Sequence, residues 1–281
     1  MHKNKIIFLF LVSINSICFS QKYHKDYSEY KDVKYLRQEG LLDKNNLRNG
    51  NWILYYQNYN YLNTIIDSNL VKTVTFFKKG IKNGTYKLFD LQGKIKTEGF
   101  YKNGKKTKNW ISYYSDGKIS EIVEYKKGNR KTSKNFNNGK IISKTHYKKN
   151  QKINTDYNLN GEIYRIIIEN IKQKTKKEQR FFTNGNIEET RNYKNGRKYG
   201  KWLTYYPDGE IAIIETYKNS KKNGKYYRYN KLRNIKTIGN HRDNMKNGEC
   251  KEYLNGGLYS ITTYNNDKII KCESFTETEA E

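Results

Sequence analysis

The stretch Gly200–Tyr217, GKWLTYYPDGEIAIIETY, decides the fold of this chain. Its centre, Asp208-Gly209, is a dipeptide that tolerates positive φ, as tight hairpin turns require. Trp202 and Tyr205 precede this turn, and the alternating segment Ile211–Tyr217 follows it. Short β-prone segments on both sides of such a turn predict a β-hairpin.

The same pattern recurs along most of the 281-residue chain, at intervals of 24 or 22 residues. Most copies have an aliphatic position, Ile211 in this stretch, with an aromatic residue six positions earlier and a glycine two positions earlier; Asn135 and Arg233 are exceptions. These aromatic residues are Phe89, Tyr113, Tyr157, Phe181, Tyr205, Tyr229 and Tyr253, and the turn glycines are Gly93, Gly117, Gly139, Gly161, Gly185 and Gly209. Trp52, Trp110 and Trp202 mark a further aromatic position near the start of a copy. Columns that keep the same spacing indicate an internal repeat.

The repeat predicts an all-β fold. We expect an elongated single-sheet solenoid of about nine stacked antiparallel β-hairpins, each repeat about 24 residues long. A single hairpin cannot bury its apolar side chains, whereas stacked neighbours can. The composition agrees, because 35% of residues are apolar and 15% are aromatic. A thin sheet with one aromatic seam needs fewer aliphatic residues than a thick core.

The repeat array divides the chain into four predicted segments. A signal peptide occupies residues 1–20, and a cap or lead-in occupies 21–48. The array spans 49–265 with an insertion near 57–70, and a C-terminal cap with an acidic tail follows at 266–281. Open solenoid ends require caps, which the non-repeating segments would provide.

The first residues of the chain predict export. Lys3 and Lys5 precede the apolar run Ile6–Val12, and small residues lie before a cleavage site near Ser20/Gln21. We expect a periplasmic, outer-membrane-associated or secreted protein. After the signal, no apolar stretch approaches the ~20 residues of a membrane-spanning helix, so the mature chain has no predicted transmembrane segment.

The motif Gly-x-x-x-Gly-Lys-Trp-x-x-Tyr-Tyr-x-Asp-Gly, at Gly196–Gly209, resembles the bacterial variant of the MORN repeat. The resemblance extends over roughly residues 49–265 and implies a hairpin solenoid with a binding or scaffolding role. Some bacterial members carry the label of an antitoxin component of toxin–antitoxin systems, and eukaryotic relatives are linked to anionic lipids. Thr132, Asn154 and Glu178 depart from the pattern, because they stand where Trp or Tyr is usual.

Two cysteines, Cys250 and Cys272, remain after the predicted cleavage. They are 22 residues apart, close to one repeat, so adjacent rungs would bring them within disulfide range. We predict a disulfide that caps the end of the array. Two buried free thiols are the alternative.

The sequence lacks the common catalytic and metal-binding motifs. It has no HExxH, no CxxC, no P-loop and no G-x-S-x-G motif. Asp116 and Asp208 recur as turn residues without a second carboxylate nearby, which favours hairpin chemistry over calcium binding. We predict that the protein is not an enzyme and has no catalytic residues, cofactor or metal.

The formal net charge is +27, and two interpretations of it stay open. Turns of the Lys-Asn-Gly-Lys type would line both edges of the sheet with cations and favour an anionic partner. Alternatively, the charge is an effect of a composition that is rich in Lys, Asn, Ile and Tyr together.

The predicted function is that of an exported, non-catalytic scaffold that binds a protein partner or an anionic envelope component. An antitoxin or immunity protein that neutralises a toxin, or a peripheral binder of an anionic membrane surface, is the alternative. Nucleic acid is disfavoured as a partner, because neither an RRM signature nor a helix-turn-helix pattern is present. The ligand-binding residues and the oligomeric state are not predicted.

Overall fold

The computed structural model describes residues 22–30, 33–55, 70–231 and 234–275, with side chains outside 27–37. Every regular element in these ranges is a β-strand. The predicted signal peptide, most of the predicted insertion and the last residues of the acidic tail lie outside the described residues. The chain divides into two compact units, Met1–Gly117 and Lys118–Glu281.

The first unit is an antiparallel sheet in which each strand pairs with the next along the chain. Its strands are β1 (Lys22–Tyr30), β2 (Val33–Leu42), β3 (Arg48–Tyr55), β4 (Val71–Lys78), β5 (Ile81–Phe89), β6 (Ile95–Lys102) and β7 (Lys105–Tyr113). The first two strands occupy the segment that was predicted as a cap or lead-in.

The second unit continues the same sequential antiparallel pairing. Its strands are β8 (Ile119–Lys126), β9 (Asn129–Asn137), β10 (Lys140–Lys148), β11 (Gln151–Tyr157), β12 (Ile163–Asn170), β13 (Thr175–Phe181), β14 (Ile187–Lys194), β15 (Arg197–Lys198), β16 (Gly200–Tyr205), β17 (Ile211–Lys218), β18 (Lys221–Lys222), β19 (Gly224–Tyr229), β20 (Ile235–Arg242), β21 (Met245–Lys246), β22 (Gly248–Leu254), β23 (Gly257–Asn265) and β24 (Lys268–Ser274). The last strand occupies the segment predicted as the C-terminal cap.

The repeating aromatic and aliphatic positions lie opposite one another across each hairpin. Phe89 pairs with Ile95, and Tyr205 pairs with Ile211. A one-residue register shift, a β-bulge, immediately precedes the aromatic residue in both hairpins. The bulge lets the aromatic and aliphatic side chains close the hairpin beside its turn. This pairing is the physical reason that the two columns keep the same spacing in the sequence.

The aromatic positions form two columns on opposite faces of the sheet, whereas the sequence predicted a single seam. Side chains alternate along a strand, so Trp110 and Tyr113, three residues apart, point to opposite faces. We call the face with Trp52, Trp110 and Trp202 the tryptophan face, and the other the opposite face. Each unit therefore packs side chains on both sides of its sheet.

The most buried side chains lie mainly on the tryptophan face. Trp52 and Trp110 are 4% and 5% exposed, and Val123 is 3% exposed. In the second unit the register places Val123, Ser133, Thr145, Asn154, Ile167, Glu178 and Arg191 opposite one another in one row across β8–β14. The core is thus a row that is aromatic in some repeats and polar in others.

These observations confirm the predicted fold class. Both units are all-β, and each is built from stacked antiparallel hairpins. The described residues contain no helix.

Candidate binding surfaces

Tryptophan rings on the tryptophan face lie directly on the backbone of glycines in the neighbouring strand. A Cβ atom added to Gly40 would lie 2.6 Å from a ring atom of Trp52. One added to Gly99 would lie 2.4 Å from the ring of Trp110. Real Cβ atoms do not approach other atoms this closely, so a side chain at either glycine would displace the ring. The turn pattern in the sequence predicts only the glycines of turns and gives no signal for this second use.

On the tryptophan face, a cation lies over the ring of each tryptophan and of Tyr86. In each case the cation is four residues before the ring in the chain. The distances from cation to ring centroid are 4.5 Å for Arg48 and Trp52, 6.0 Å for Lys82 and Tyr86, 3.8 Å for Lys106 and Trp110, and 4.4 Å for Lys198 and Trp202. These are cation–π contacts, which ring quadrupoles stabilise. The backbone of Gly40 and Gly99 on one side and the cations on the other enclose the rings of Trp52 and Trp110, so neither ring is a free platform for a ligand.

The turns that join successive hairpins are linked to one another by backbone hydrogen bonds. Gly104 N–H donates to the carbonyl of Lys82 at 2.8 Å, and Ser220 N–H donates to the carbonyl of Lys198 at 3.0 Å. Asn244 N–H donates to the carbonyl of Lys222 at 2.9 Å. Each of these turns is therefore tied to the turn of the preceding repeat.

On the opposite face of the first unit, tyrosine hydroxyls anchor the second aromatic column. The Tyr113 hydroxyl donates to Glu98 Oε1 at 2.7 Å, and the Tyr55 hydroxyl donates to Glu39 Oε1 at 2.5 Å. Burial, followed by the hydrogen bond to Glu98, raises the pKa of Tyr113 to about 12. Both hydroxyls therefore stay protonated as donors at neutral pH.

The repeats that lack the usual Trp or Tyr have a polar network in its place. Arg165 donates to Asp156 Oδ2 through Nε at 2.7 Å, and Asn154 donates to Asp156 Oδ1 at 2.6 Å. Thr145 in turn donates to Asn154 Oδ1 at 2.8 Å. The Asp156 side chain is 9% exposed, so these bonds satisfy a nearly buried carboxylate. Asn154 and Glu178, which stand where Trp or Tyr is usual in the repeat, thus lie in or beside a connected set of ion pairs and hydrogen bonds.

A second polar cluster, without a counterpart in the neighbouring repeats, centres on Glu215. Lys222 Nζ donates to Glu215 Oε1 at 2.5 Å, and the Tyr217 hydroxyl donates to Oε2 at 2.7 Å. Burial by itself would raise the pKa of this carboxyl, but the two hydrogen bonds lower it below its ordinary value. The His241 ring lies 4.6 Å from the Tyr226 ring, and burial, with the positive charge of Lys222, lowers the pKa of His241. Glu215 is therefore an anion and His241 is neutral at pH 7.

The turns within hairpins and the turns between hairpins differ in charge. We call the row of turns between hairpins the basic edge. In the second unit its exposed cations are Lys126, Lys127, Lys148, Lys149, Lys172, Lys174, Lys194, Arg197, Lys218, Lys221, Arg242 and Lys268, and in the first unit Lys78, Lys79, Lys102 and Lys105. Asp243 and Asp267 are the described acidic residues in these turns of the second unit.

At the turns within hairpins, Asp and Asn side chains cap the backbone. Asp208 Oδ1 accepts from Glu210 N–H at 3.0 Å, and Asp90 Oδ1 accepts from Gln92 N–H at the same distance. Lys94 and Lys118 at these turns are close in sequence to Asp90 and Asp116, whereas Lys140 has no such acid in its turn. Cations are thus present at both edges, but more of them lie at the basic edge.

The predicted disulfide is absent, and both Cys250 and Cys272 are free thiols. Thr262 of β23 pairs with Cys250 on one side and with Cys272 on the other. Equivalent positions in neighbouring repeats are thus two strands apart, ~10 Å, beyond the Cα range of a disulfide. Cys250 is buried with its Sγ 3.2 Å from the Tyr226 hydroxyl, and Cys272 is exposed. The alternative of two buried thiols holds for Cys250 alone.

The structure places the remaining predicted site residues in the two aromatic columns and the hairpin turns. The six turn glycines have φ between 76° and 95°, the left-handed region that their turns require. Phe89, Tyr157, Phe181, Tyr205, Tyr229 and Tyr253 each follow a register shift on the opposite face. These residues hold the fold together and do not converge on one site.

The described residues contain no group of three or more His, Cys, Asp and Glu side chains that could hold a metal ion. The described part of the chain also has no helix long and apolar enough to cross a membrane.

The fold and the repeated turns define a protein of stacked β-hairpin repeats, and comparison with protein families agrees. The family model described as the MORN repeat variant matches residues 82–103, 106–127, 174–195 and 198–219. Each matched segment begins at a lysine that lies in, or directly after, a turn between hairpins. The chain therefore contains four repeats that match the MORN repeat variant.

Comparisons with individual proteins add no function. No curated protein matches the chain. A solved structure of a mutant form of the Photorhabdus luminescens Tc holotoxin pore is similar at 9% identity and a TM-score of 0.21. The similarity covers 90% of this chain and 20% of the holotoxin chain, so this chain spans about a fifth of that length.

Proposed function

We propose that this protein is an exported, non-catalytic scaffold that binds an anionic partner along its basic edge. The observation that carries the proposal is the edge itself, because its exposed cations recur in almost every described repeat with few acids among them. MORN repeats commonly serve as protein- or membrane-binding modules, which supports a scaffold role.

The spacing of the basic edge suits an extended anionic partner. Two strands per repeat place successive turns ~10 Å apart within a unit. Exposed lysines contribute little individually, but several acting together give a strong attraction that salt screens. An acidic protein segment and an anionic envelope surface both present charges along such a length.

The enclosed aromatic rings support the assignment to the edge rather than to a sheet face. Trp110 is 5% exposed beneath Lys106, so a ligand would have to displace the cation to stack on the ring. The edge lysines need no such rearrangement. Binding along the edge would therefore leave the core unchanged.

The test compares two triple variants that change net charge equally. Lys148→Glu, Lys194→Glu and Lys218→Glu alter the basic edge, whereas Lys177→Glu, Lys201→Glu and Lys225→Glu alter exposed lysines in strands. The probes are fluorescein-labelled poly-L-glutamate, read by anisotropy, and phosphatidylcholine vesicles with or without phosphatidylglycerol, read by co-sedimentation. We expect the edge variant to lose roughly tenfold in affinity, since reversing three surface charges costs ~1.4 kcal/mol or more.

The control variant should keep most of the affinity at the same ionic strength. Equal losses in the two variants would overturn the edge assignment, because net charge alone would then explain binding. If the protein binds poly-glutamate but not the vesicles, the partner is an acidic protein segment. If it binds the anionic vesicles, the partner is a membrane surface.

A further inference from the structure

Two lysines face each other across the hairpin of β9 and β10. Lys134 and Lys144 are directly opposite in the register, and both are half-buried. Their other cross-strand neighbours are uncharged, Ile122 beside Lys134 and Thr155 beside Lys144. Like charges at directly opposite positions destabilise an antiparallel pair.

The described part of the chain supplies neither lysine with an ion pair. The carboxylate of the adjacent row, Glu124, pairs with Thr132 and accepts a hydrogen bond from its hydroxyl at 3.2 Å. Another pair of opposed cations in this unit, Arg165 and Arg180, is neutralised differently. Arg165 binds Asp156 at 2.7 Å, and Arg180 lies 3.5 Å from Glu178. The Lys134–Lys144 pair is thus opposed without the acidic neighbours that the arginines have.

A hollow of about 480 Å³ lies at these lysines. Its lining consists of Lys134, Lys140, Ile141, Lys144, Tyr157 and the turn residues 158–161. No carboxylate is among the lining residues. Ile141 and Leu159 are 38% and 74% exposed, so the hollow combines ammonium groups with apolar surface.

The difference in turn length between neighbouring hairpins explains the hollow. The β9–β10 hairpin turns through Asn138 and Gly139, whereas residues 158–162 join β11 to β12. The longer turn stands beside the shorter one and forms a wall. Lys140 Nζ donates to the carbonyl of Leu159 in this wall at 3.1 Å.

We propose that this hollow binds a small amphipathic oxyanion, a phosphate, sulfate or carboxylate group joined to a hydrocarbon or aromatic part. The charged group would lie between the ammonium groups of Lys134 and Lys144 and relieve their repulsion. The apolar part would pack on Ile141, Tyr157 and Leu159. A volume of this size is within the range of small-molecule sites. The hollow is separate from the basic edge, so this binding does not depend on the proposed scaffold function.

Isothermal titration calorimetry with octyl phosphate tests the proposal on the full chain. Octyl glucoside serves as the neutral analogue, and inorganic phosphate as the anion without a tail. We expect octyl phosphate to bind, and the double variant Lys134→Gln with Lys144→Gln to bind at least tenfold more weakly. The matched control is Lys131→Gln, an exposed lysine of β9 outside the lining, which should bind like the unaltered protein.

Thermal unfolding supplies a readout that does not depend on binding. Lys134→Gln removes one of the two opposed charges and so ends their repulsion, and the unliganded variant should unfold at a higher temperature than the unaltered protein. Octyl phosphate should raise the unfolding temperature of the unaltered protein and of Lys144→Arg, but not that of the double variant.

Three results would overturn the proposal. One is equal affinity for octyl glucoside and octyl phosphate, which would remove the role of charge. Another is equal affinity for inorganic phosphate, which would remove the role of the apolar lining. The last is unchanged octyl phosphate binding in the double variant.

Discussion

At the scale of single residues, the glycines of this chain have two physically different tasks. Gly93 has φ of 76° with nothing within 4 Å of an added Cβ, so its role is conformational. Gly99 has no positive φ, but an added Cβ would lie 2.4 Å from the Trp110 ring, so its role is steric. Sequence spacing identifies the first kind, because such a glycine recurs two residues before the aliphatic position of each hairpin, as Gly93 does before Ile95. The second kind depends on a ring that lies 11 residues further along the chain.

We expect Gly99→Ala to destabilise the protein by about 1–3 kcal/mol, because the new methyl group would displace the buried ring. Chemical denaturation gives the free energy of unfolding. Trp110→Leu should reduce the additional cost of Gly99→Ala, since less of the clash remains. The same Trp110→Leu background should leave the cost of Gly93→Ala unchanged. A cost of Gly99→Ala that is the same with and without the Trp110 ring would contradict the steric explanation.

At the scale of elements, the hairpin of β11 and β12 holds two ion pairs in different surroundings. Asp156 and Arg165 are 2.7 Å apart, and the aspartate side chain is 9% exposed. Lys152 and Glu169 are 3.5 Å apart, and their side chains are 39% and 40% exposed. A carboxylate taken out of water needs its partners, whereas exposed ions are solvated without them. The two pairs should therefore differ in their contribution to stability.

Asp156→Ala should lower the free energy of unfolding by about 2–4 kcal/mol, because it leaves Arg165 and Asn154 without their shared acceptor. Lys152→Ala, on the same two strands, should cost less than about 1 kcal/mol. The double variant Asp156→Leu with Arg165→Leu should recover much of the loss, since it removes both charges together. Similar losses for Asp156→Ala and Lys152→Ala would show that burial does not separate the two pairs.

At the scale of the whole molecule, strand pairing runs in chain order within each unit, so each described hairpin contacts its neighbours in the chain. Stability in such an array is close to a sum of local terms and nearest-neighbour terms. A local defect should therefore have a local effect, in contrast to a protein with one compact core.

Hydrogen exchange with mass spectrometry on Asp156→Ala tests this expectation within the second unit. Amide exchange should increase most in β10–β13, which surround the lost carboxylate, and progressively less toward β22 and β23. The unaltered protein is the reference under the same conditions. A uniform increase across the second unit would mean that it unfolds as one cooperative block.

The sequence by itself determined the hairpins, their period, their turns and the sequential antiparallel pairing. These follow from local chemistry, because Asp208-Gly209 fixes a turn and the flanking residues have β propensity. The matched columns at Phe89 and Ile95 also belong here, since residues that close a hairpin are near in the chain. The MORN-type motif follows from the same short-range pattern.

Only the tertiary structure decided which side chains meet across strands. A bulge before each hairpin turn and a change in turn length shift the register, and a shift of one residue changes the facing side chains. That register keeps Cys250 and Cys272 two strands apart and places Lys134 opposite Lys144. It also puts Gly99 beneath Trp110 and divides the aromatic residues between two faces. Spacing along the chain predicts the repeat to which a residue belongs. The side chain that it contacts in the next strand depends on the bulges and turns between the strands.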